Sequence, residues 1–165
     1  LSQKNDLEAA KASYEKAIKY SDDPGSIMRK LLFVYIDMGD NQRAIDYSNE
    51  LLDKYPNDAD LYYNVGVLYQ RLTLEMFDPS RELFLKTSDE SYPETIREVY
   101  DSFKTARKYA YNSKDFFLQA SDLELDENLS TREAVSEMGK LMDQIDELFM
   151  PSIRETARSA GIELD

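Results

Sequence analysis

Laid against itself at an offset of 34 residues, the sequence repeats: Asp6 meets Asp40, Ala10 meets Ala44, Ile18 meets Leu52, and Pro24 falls near the slot of Pro56. The following segment keeps the offset, with Met28, Leu31, Leu32 and Tyr35 recurring as Tyr62, Val65, Gly66 and Tyr69. A fixed period of this length marks a unit that cannot bury its apolar face alone, so successive units must stack. Within each unit the apolar residues step by three and four, the spacing of one helical face. Five Gly and five Pro in 165 residues are too few to turn a sandwich or barrel every ten residues or so. The expectation is an all-α chain with helices at 5–20, 25–38, 41–54 and 59–76. Gly39-Asp40 closes the middle hairpin with a residue able to take positive φ, and Pro24 and Pro56 separate one unit from the next.

These residues resemble the tetratricopeptide family, whose pattern runs W-x-x-L-G-x-x-Y, then A-x-x-x-F, then Ala and Pro. Tyr62, Val65, Gly66 and Tyr69 fill the slots of a first helix, and Ala10, Tyr14 and Ala17 those of a second. The resemblance implies a right-handed superhelical stack of antiparallel helix pairs. Small residues such as Gly66, Ala10 and Ala17 then allow close approach, Gly66 against a neighbouring backbone, while Tyr14, Tyr35 and Tyr69 fill the space between hairpins. The middle copy departs from the pattern with Leu32, Ser48 and Leu51, so its packing is expected to be looser or shifted. Some bacterial tetratricopeptide proteins look similar around N-V-G-V-L-Y, with a long polar insertion behind it.

The period breaks after Leu72 and returns at Ser113, Phe117 and Ala120, which lie 69 residues after Ala44, Ser48 and Leu51, one period plus a 35-residue insertion. From Ile96 through Val99, Phe103, Ala106, Ala110, Ser113 and Phe117 to Ala120, steps of three and four make one unbroken stripe, which predicts an extended helix over 93–124. At 1.5 Å per residue it measures about 45 Å, so its first half overhangs the array. A degenerate extra repeat at 73–107 is the rival reading, but its second helix would put Asp78 and Glu82 in the Ala and aromatic slots and Pro79 inside the helix. Residues 79–86 are expected to pack on the stripe around Phe103 as an internal mini-bundle, two of Leu83, Phe84 and Leu85 facing the stripe, with 87–92 as an exposed loop. Ser130 and Glu133 have capping-box spacing before a terminal helix at 131–149, which Pro151 ends or kinks ahead of a last piece at 152–159 closed by Gly161. The whole reads as one tetratricopeptide-like domain over 1–165: a partial repeat at 5–24 with its second helix only, a repeat at 25–58, and a repeat at 59–127 with the insertion at about 73–107. Capping helices at 130–165 complete it. The chain opens inside a helical pattern, so its natural start is expected upstream, and its compartment is not legible.

With no Cys and no His, the familiar zinc sites, thiol nucleophiles and His-based triads are excluded. A net charge of -13 repels phosphate backbones and anionic lipid, so neither nucleic acid nor membrane insertion is expected. Carboxylate pairs such as Asp143 with Glu147 read as solvated helix faces. The stretch 122–133 sets Asp122, Glu124, Asp126, Asn128, Ser130 and Glu133 at calcium-loop spacing, but Glu127 stands where the sharp bend needs Gly, so the stretch reads as an ordinary turn. No metal, no cofactor and no catalysis are expected. Most of the 12 Tyr and 7 Phe read as core, and the adjacent pairs Tyr62-Tyr63 and Phe116-Phe117 must each point two ways.

The resemblance further implies that the first helices line a concave groove for an extended peptide or a partner helix. Carried over residue by residue, that groove shows Ser26, Arg29, Phe33, Ile36 and Asp37, then Asp60, Tyr63, Asn64, Val67, Gln70 and Arg71. The candidate partner-binding residues are Arg29, Phe33 and Asp37 on the earlier helix and Tyr63, Asn64, Val67, Gln70 and Arg71 on the later one. A rival role for them is packing against the inserted helix. The family's carboxylate clamp for acidic chaperone tails is not expected, because Asp60 and Tyr63 stand at the entrance. The function expected is a non-catalytic interaction scaffold for a peptide segment or protein partner, as a monomer or homodimer. The alternative is an accessory domain of a larger enzyme or of a secreted or assembly factor whose catalytic part lies outside these residues.

Overall fold

A computed structural model of the chain describes residues 2–86, 93–123 and 129–164. Helices α1 (Ser2–Tyr20), α2 (Gly25–Met38) and α3 (Asn41–Lys54) precede two long ones, α4 (Ala59–Lys86) and α5 (Pro93–Leu123). Then α6 (Leu129–Asp143) runs through a π-helical turn (Gln144–Phe149) into α7 (Met150–Ser159). No strand occurs among the described residues.

Each boundary of the middle hairpin has a local cause. Gly39 sits at φ 71°, and the N–H groups of Gly39 and Asp40 reach back to the carbonyls of Ile36 and Tyr35 at 3.0 and 3.1 Å, closing α2 in a left-handed cap. Asp40 then caps α3 by accepting from the Arg43 N–H at 3.3 Å, and Asp58 does the same for α4 from the Leu61 N–H at 3.0 Å. Gly161 closes α7 in the same way as Gly39 closes α2, and carries buried Ile162 back onto the core.

Two cores form, one on each side of the α4–α5 hairpin. The first joins α1 to α4 through Leu31, Leu32, Tyr35, Leu51, Leu61 and Leu68, with Leu7, Ala10, Tyr14 and Ile18 of α1 laid against it. Packing in the middle copy is not looser. Leu32, Ser48 and Leu51 are fully buried, the larger Leu32 compensating in volume for the small Ser48, whose hydroxyl donates to the Ile45 carbonyl at 2.8 Å. The second core joins the far half of the hairpin to α6 and α7 through Phe77, Val99, Phe103, Ile145, Phe149 and Ile153. The paired aromatics divide between them. Tyr62 meets Phe116, which packs on the first core, and Tyr63 meets Phe117 in the second.

The register is antiparallel throughout. Along α4 and α5, Tyr62 pairs with Phe116, Tyr69 with Tyr109 and Phe77 with Phe103. Along α5 and the terminal rod, Arg107 pairs with Asp146, Phe103 with Phe149 and Tyr100 with Arg154. The segments of 15, 6 and 10 residues that make up the rod thus match the 31 residues of α5 end for end.

Three expectations are corrected. First, α4 runs unbroken through Pro79, so residues 79–86 continue the first helix instead of forming a piece of an internal mini-bundle. Pro79 and Glu75, whose carbonyl loses its helical donor, both face solvent, while Phe77 is buried on the opposite side. Burying Phe77 and partly burying Phe84 contributes about 3 kcal/mol, comparable to the roughly 3 kcal/mol that an interior proline costs. Second, only Phe84 of the apolar run meets the stripe, packing on Phe103 and Phe149 at 6.2 and 6.4 Å, while Leu85 is 70% exposed and Leu83 also lies outside the core. The stripe is covered by α4 and the terminal rod together. Third, Gly66 faces a ring, not a backbone: a Cβ there would lie 2.6 Å from Cδ1 of Phe117.

Pro151 does not end the rod, which stays helical through it. Its missing N–H coincides with the π turn, in which the Met150 N–H reaches the Ile145 carbonyl. The wider turn also keeps Ile145, Phe149, Ile153 and Ala157, each four residues apart, on one buried face. Ser130 falls inside α6, which begins at Leu129. Asp122 is in α5, whereas Glu124, Asp126 and Asn128 of the calcium-spaced stretch, and the expected loop 87–92, lie outside the described residues.

Candidate functional site

The helices α2, α4 and α6 lie side by side, and polar contacts cross between them on one face. Arg71 of α4 reaches Asp37 of α2 at 4.0 Å, and Gln70 donates to Glu137 of α6 at 3.4 Å. At the other end, Arg29 of α2 pairs with Asp58, the capping residue of α4. Their packing partners are α1 and α3 for α2, and α5 for α4 and α6.

The eight candidate residues divide by environment. Phe33 is 40% exposed although its neighbours Leu32 and Val34 are buried, so an aromatic edge stands open on α2. Asp37 is exposed as well, and Asn64 is half-buried. Tyr63 and Val67 turn into the second core, Tyr63 against Phe117 at 5.3 Å between ring centroids. Gln70 is half-buried beside Glu137. The two guanidinium groups are held internally, Arg29 by Asp58 and Arg71 by Glu75 at 2.8 Å. Of the neighbours named with them, Ile36 is buried, and Ser26 and Asp60 are exposed. Sequence reasoning missed Leu74, 41% exposed one turn beyond Gln70 and Arg71, because its spacing reads as an overrun of the buried stripe. It also missed Glu75 and Glu137, whose importance comes from the partners they hold across space.

Groups with shifted protonation lie elsewhere and serve packing. Burial pushes the Tyr47 hydroxyl up to about 12 and raises that of Tyr69, while hydrogen bonds raise Arg43 beside Tyr35 and Arg107 beside Asp146. Tyr35 and Tyr47 meet edge to face at 5.4 Å, with the Arg43 guanidinium over both rings at 5.5 and 5.7 Å. Among the described residues no three Asp or Glu side chains gather closely enough to hold a metal ion. No described helix is long and apolar enough to cross a membrane.

The tetratricopeptide repeat family model matches residues 1–24, the segment that contains α1, and the stacked antiparallel pairs continue from there. The fold is all-α and of the tetratricopeptide type. Over 76 residues the chain is 29% identical to the Photosystem I assembly protein Ycf3 of Synechococcus sp. (strain CC9902) and to that of Parasynechococcus marenigrum (strain WH8102). It is 30% identical to the protein of the same name from Synechococcus sp. (strain CC9605). The match takes in 43% of this chain and 44% of each relative, so the chain spans less than half the length of the curated relatives it matches. No solved structure matches it.

Proposed function

We propose that the concave face of α2, α4 and α6 binds a segment of a protein partner, and that the chain acts as a non-catalytic assembly scaffold. The observation that carries this reading is the open edge of Phe33, an aromatic left 40% exposed on a face where charged and amide groups ring it. An aromatic anchor with a polar rim is the arrangement that peptide-binding surfaces use. The binding surface comprises Phe33, Asp37, Asn64 and Leu74, with Gln70 and Arg71 at the rim, because Tyr63 and Val67 are occupied by the core. The relatives' name, photosystem I assembly protein, supports a partner that is a subunit awaiting incorporation into a larger complex.

A photo-crosslinking residue placed at Phe33 or Asn64 tests it. The expected result is a discrete crosslinked partner from native lysate, absent when the same residue replaces exposed Tyr111 on α5. Equal capture from both positions would overturn the reading.

A further inference from the structure

We infer that the concave face selects a basic extended segment carrying one apolar side chain; this rests on the binding surface proposed above and specifies its ligand. Each of the three helices contributes a carboxylate to the face: Asp37 on α2, Glu75 on α4 and Glu137 on α6. One cation, Arg71, stands among them, and its guanidinium is already shared between Glu75 and Asp37. The second guanidinium, Arg29, is engaged by Asp58, and exposed Asp60 lies just beyond. These two residues line a concavity of about 530 Å³ with Tyr55 and Pro56 at the end of the groove. Lys30 and Lys140, exposed on α2 and α6, add two more cations, so five carboxylates, Asp37, Asp58, Asp60, Glu75 and Glu137, stand against four cations, of which both arginines are already paired.

An acidic segment would have to break those internal pairs before gaining any of its own, and would approach a chain of net charge -13. A basic segment meets exposed carboxylates, Asp37, Glu137 and Asp60, that keep oxygens free beyond the contacts they already make, and its approach is accelerated by the field. Charge alone fixes no register. Phe33 and Leu74, the open apolar residues of α2 and α4, supply an anchor for one apolar side chain between the ionic contacts.

Fluorescence anisotropy of the full chain with two synthetic peptides tests the inference. One peptide carries lysines and serines around a single leucine, and the other has every lysine replaced by glutamate. The expected result is affinity for the basic peptide at least about tenfold higher, falling as salt is added. Asp37→Lys with Glu137→Lys should weaken it about tenfold or more, and Phe33→Ala should weaken it too. The equal charge change at exposed Asp101→Lys with Asp115→Lys on α5 should alter it less than about twofold. Circular dichroism of each variant establishes that the helices are retained. Equal loss with the α5 variants, or indifference to Phe33→Ala, would overturn the inference by showing adhesion to net charge alone. Phe33-dependent binding of the acidic peptide would overturn the charge selection and leave the groove reading standing. Binding of neither peptide, or self-association that Phe33→Ala abolishes, would also overturn it, and the crosslinking result then decides the groove reading separately.

Discussion

Gly66 and Ser113 show how closely the long hairpin is closed. The Ser113 hydroxyl donates to the Gly66 carbonyl at 2.8 Å while the Phe117 ring lies over the bare Cα, so the two helices meet with no room for a methyl group. Gly66→Ala should therefore destabilise the protein by about 1–3 kcal/mol despite the better helix propensity of alanine, read as a drop in melting temperature. Tyr47 makes the opposite case. Its hydroxyl is buried with no hydrogen-bond partner among the described residues, so Tyr47→Phe should be neutral or stabilise by up to about 1 kcal/mol. The same burial has a pH consequence. Because the folded pKa of about 12 stands above the ordinary 10.0, folding favours the neutral phenol, and its contribution is complete below pH 10.0 and lost as pH rises toward 12. Denaturant midpoints measured across that window should fall less steeply in Tyr47→Phe than in the parent.

At the scale of elements, the part legible in the sequence is the part where one helical face does one job. The stripe from Ile96 to Ala120 predicts α5 to within a residue, since every member of it is buried. The extension of α4 was illegible because Pro79 is the strongest local stop signal, and only the burial of Phe77 across the helix explains why it fails to act. Pro79→Ala should restore the missing bond to Glu75 and stabilise the fold by about 1–3 kcal/mol; a lower melting temperature would mean that the proline fits a bend the alanine helix cannot follow. The four rings of Phe77, Phe84, Phe103 and Phe149 depend on this extension, with centroids 5.3 to 6.4 Å apart. Truncating the central one, Phe103→Ala, should cost about 3–5 kcal/mol by chemical denaturation. The candidate site was legible in the same partial way. The resemblance put Phe33 and Asp37 on an open face, and both are exposed, but the engagement of Arg29 by Asp58 and the reach of Arg71 to Asp37 depend on approach between elements, which no single helix encodes.

At the scale of the whole molecule, the described residues form two separate cores that share the α4–α5 hairpin, so stability should divide between them as in other stacked arrays. Deleting the chain beyond Asp143 removes Ile145, Phe149 and Ile153 from the second core. The truncated protein should lose more helicity than the deleted residues held, while hydrogen exchange in α2 and α3 stays slow. Rapid exchange throughout would show one cooperative unit. The antiparallel match between α5 and the terminal rod also sets an order in time. Synthesis proceeds from the amino end, so the first core has its buried residues up to Leu72 before any of α5 exists. Phe103 instead emerges some 50 residues ahead of Ile153 in the same core. At ribosomal speeds of roughly 5–20 residues per second, its apolar stripe waits about 3–10 s for the rod that completes its cover. During that wait the nascent chain presents a finished repeat array joined to a partly covered one.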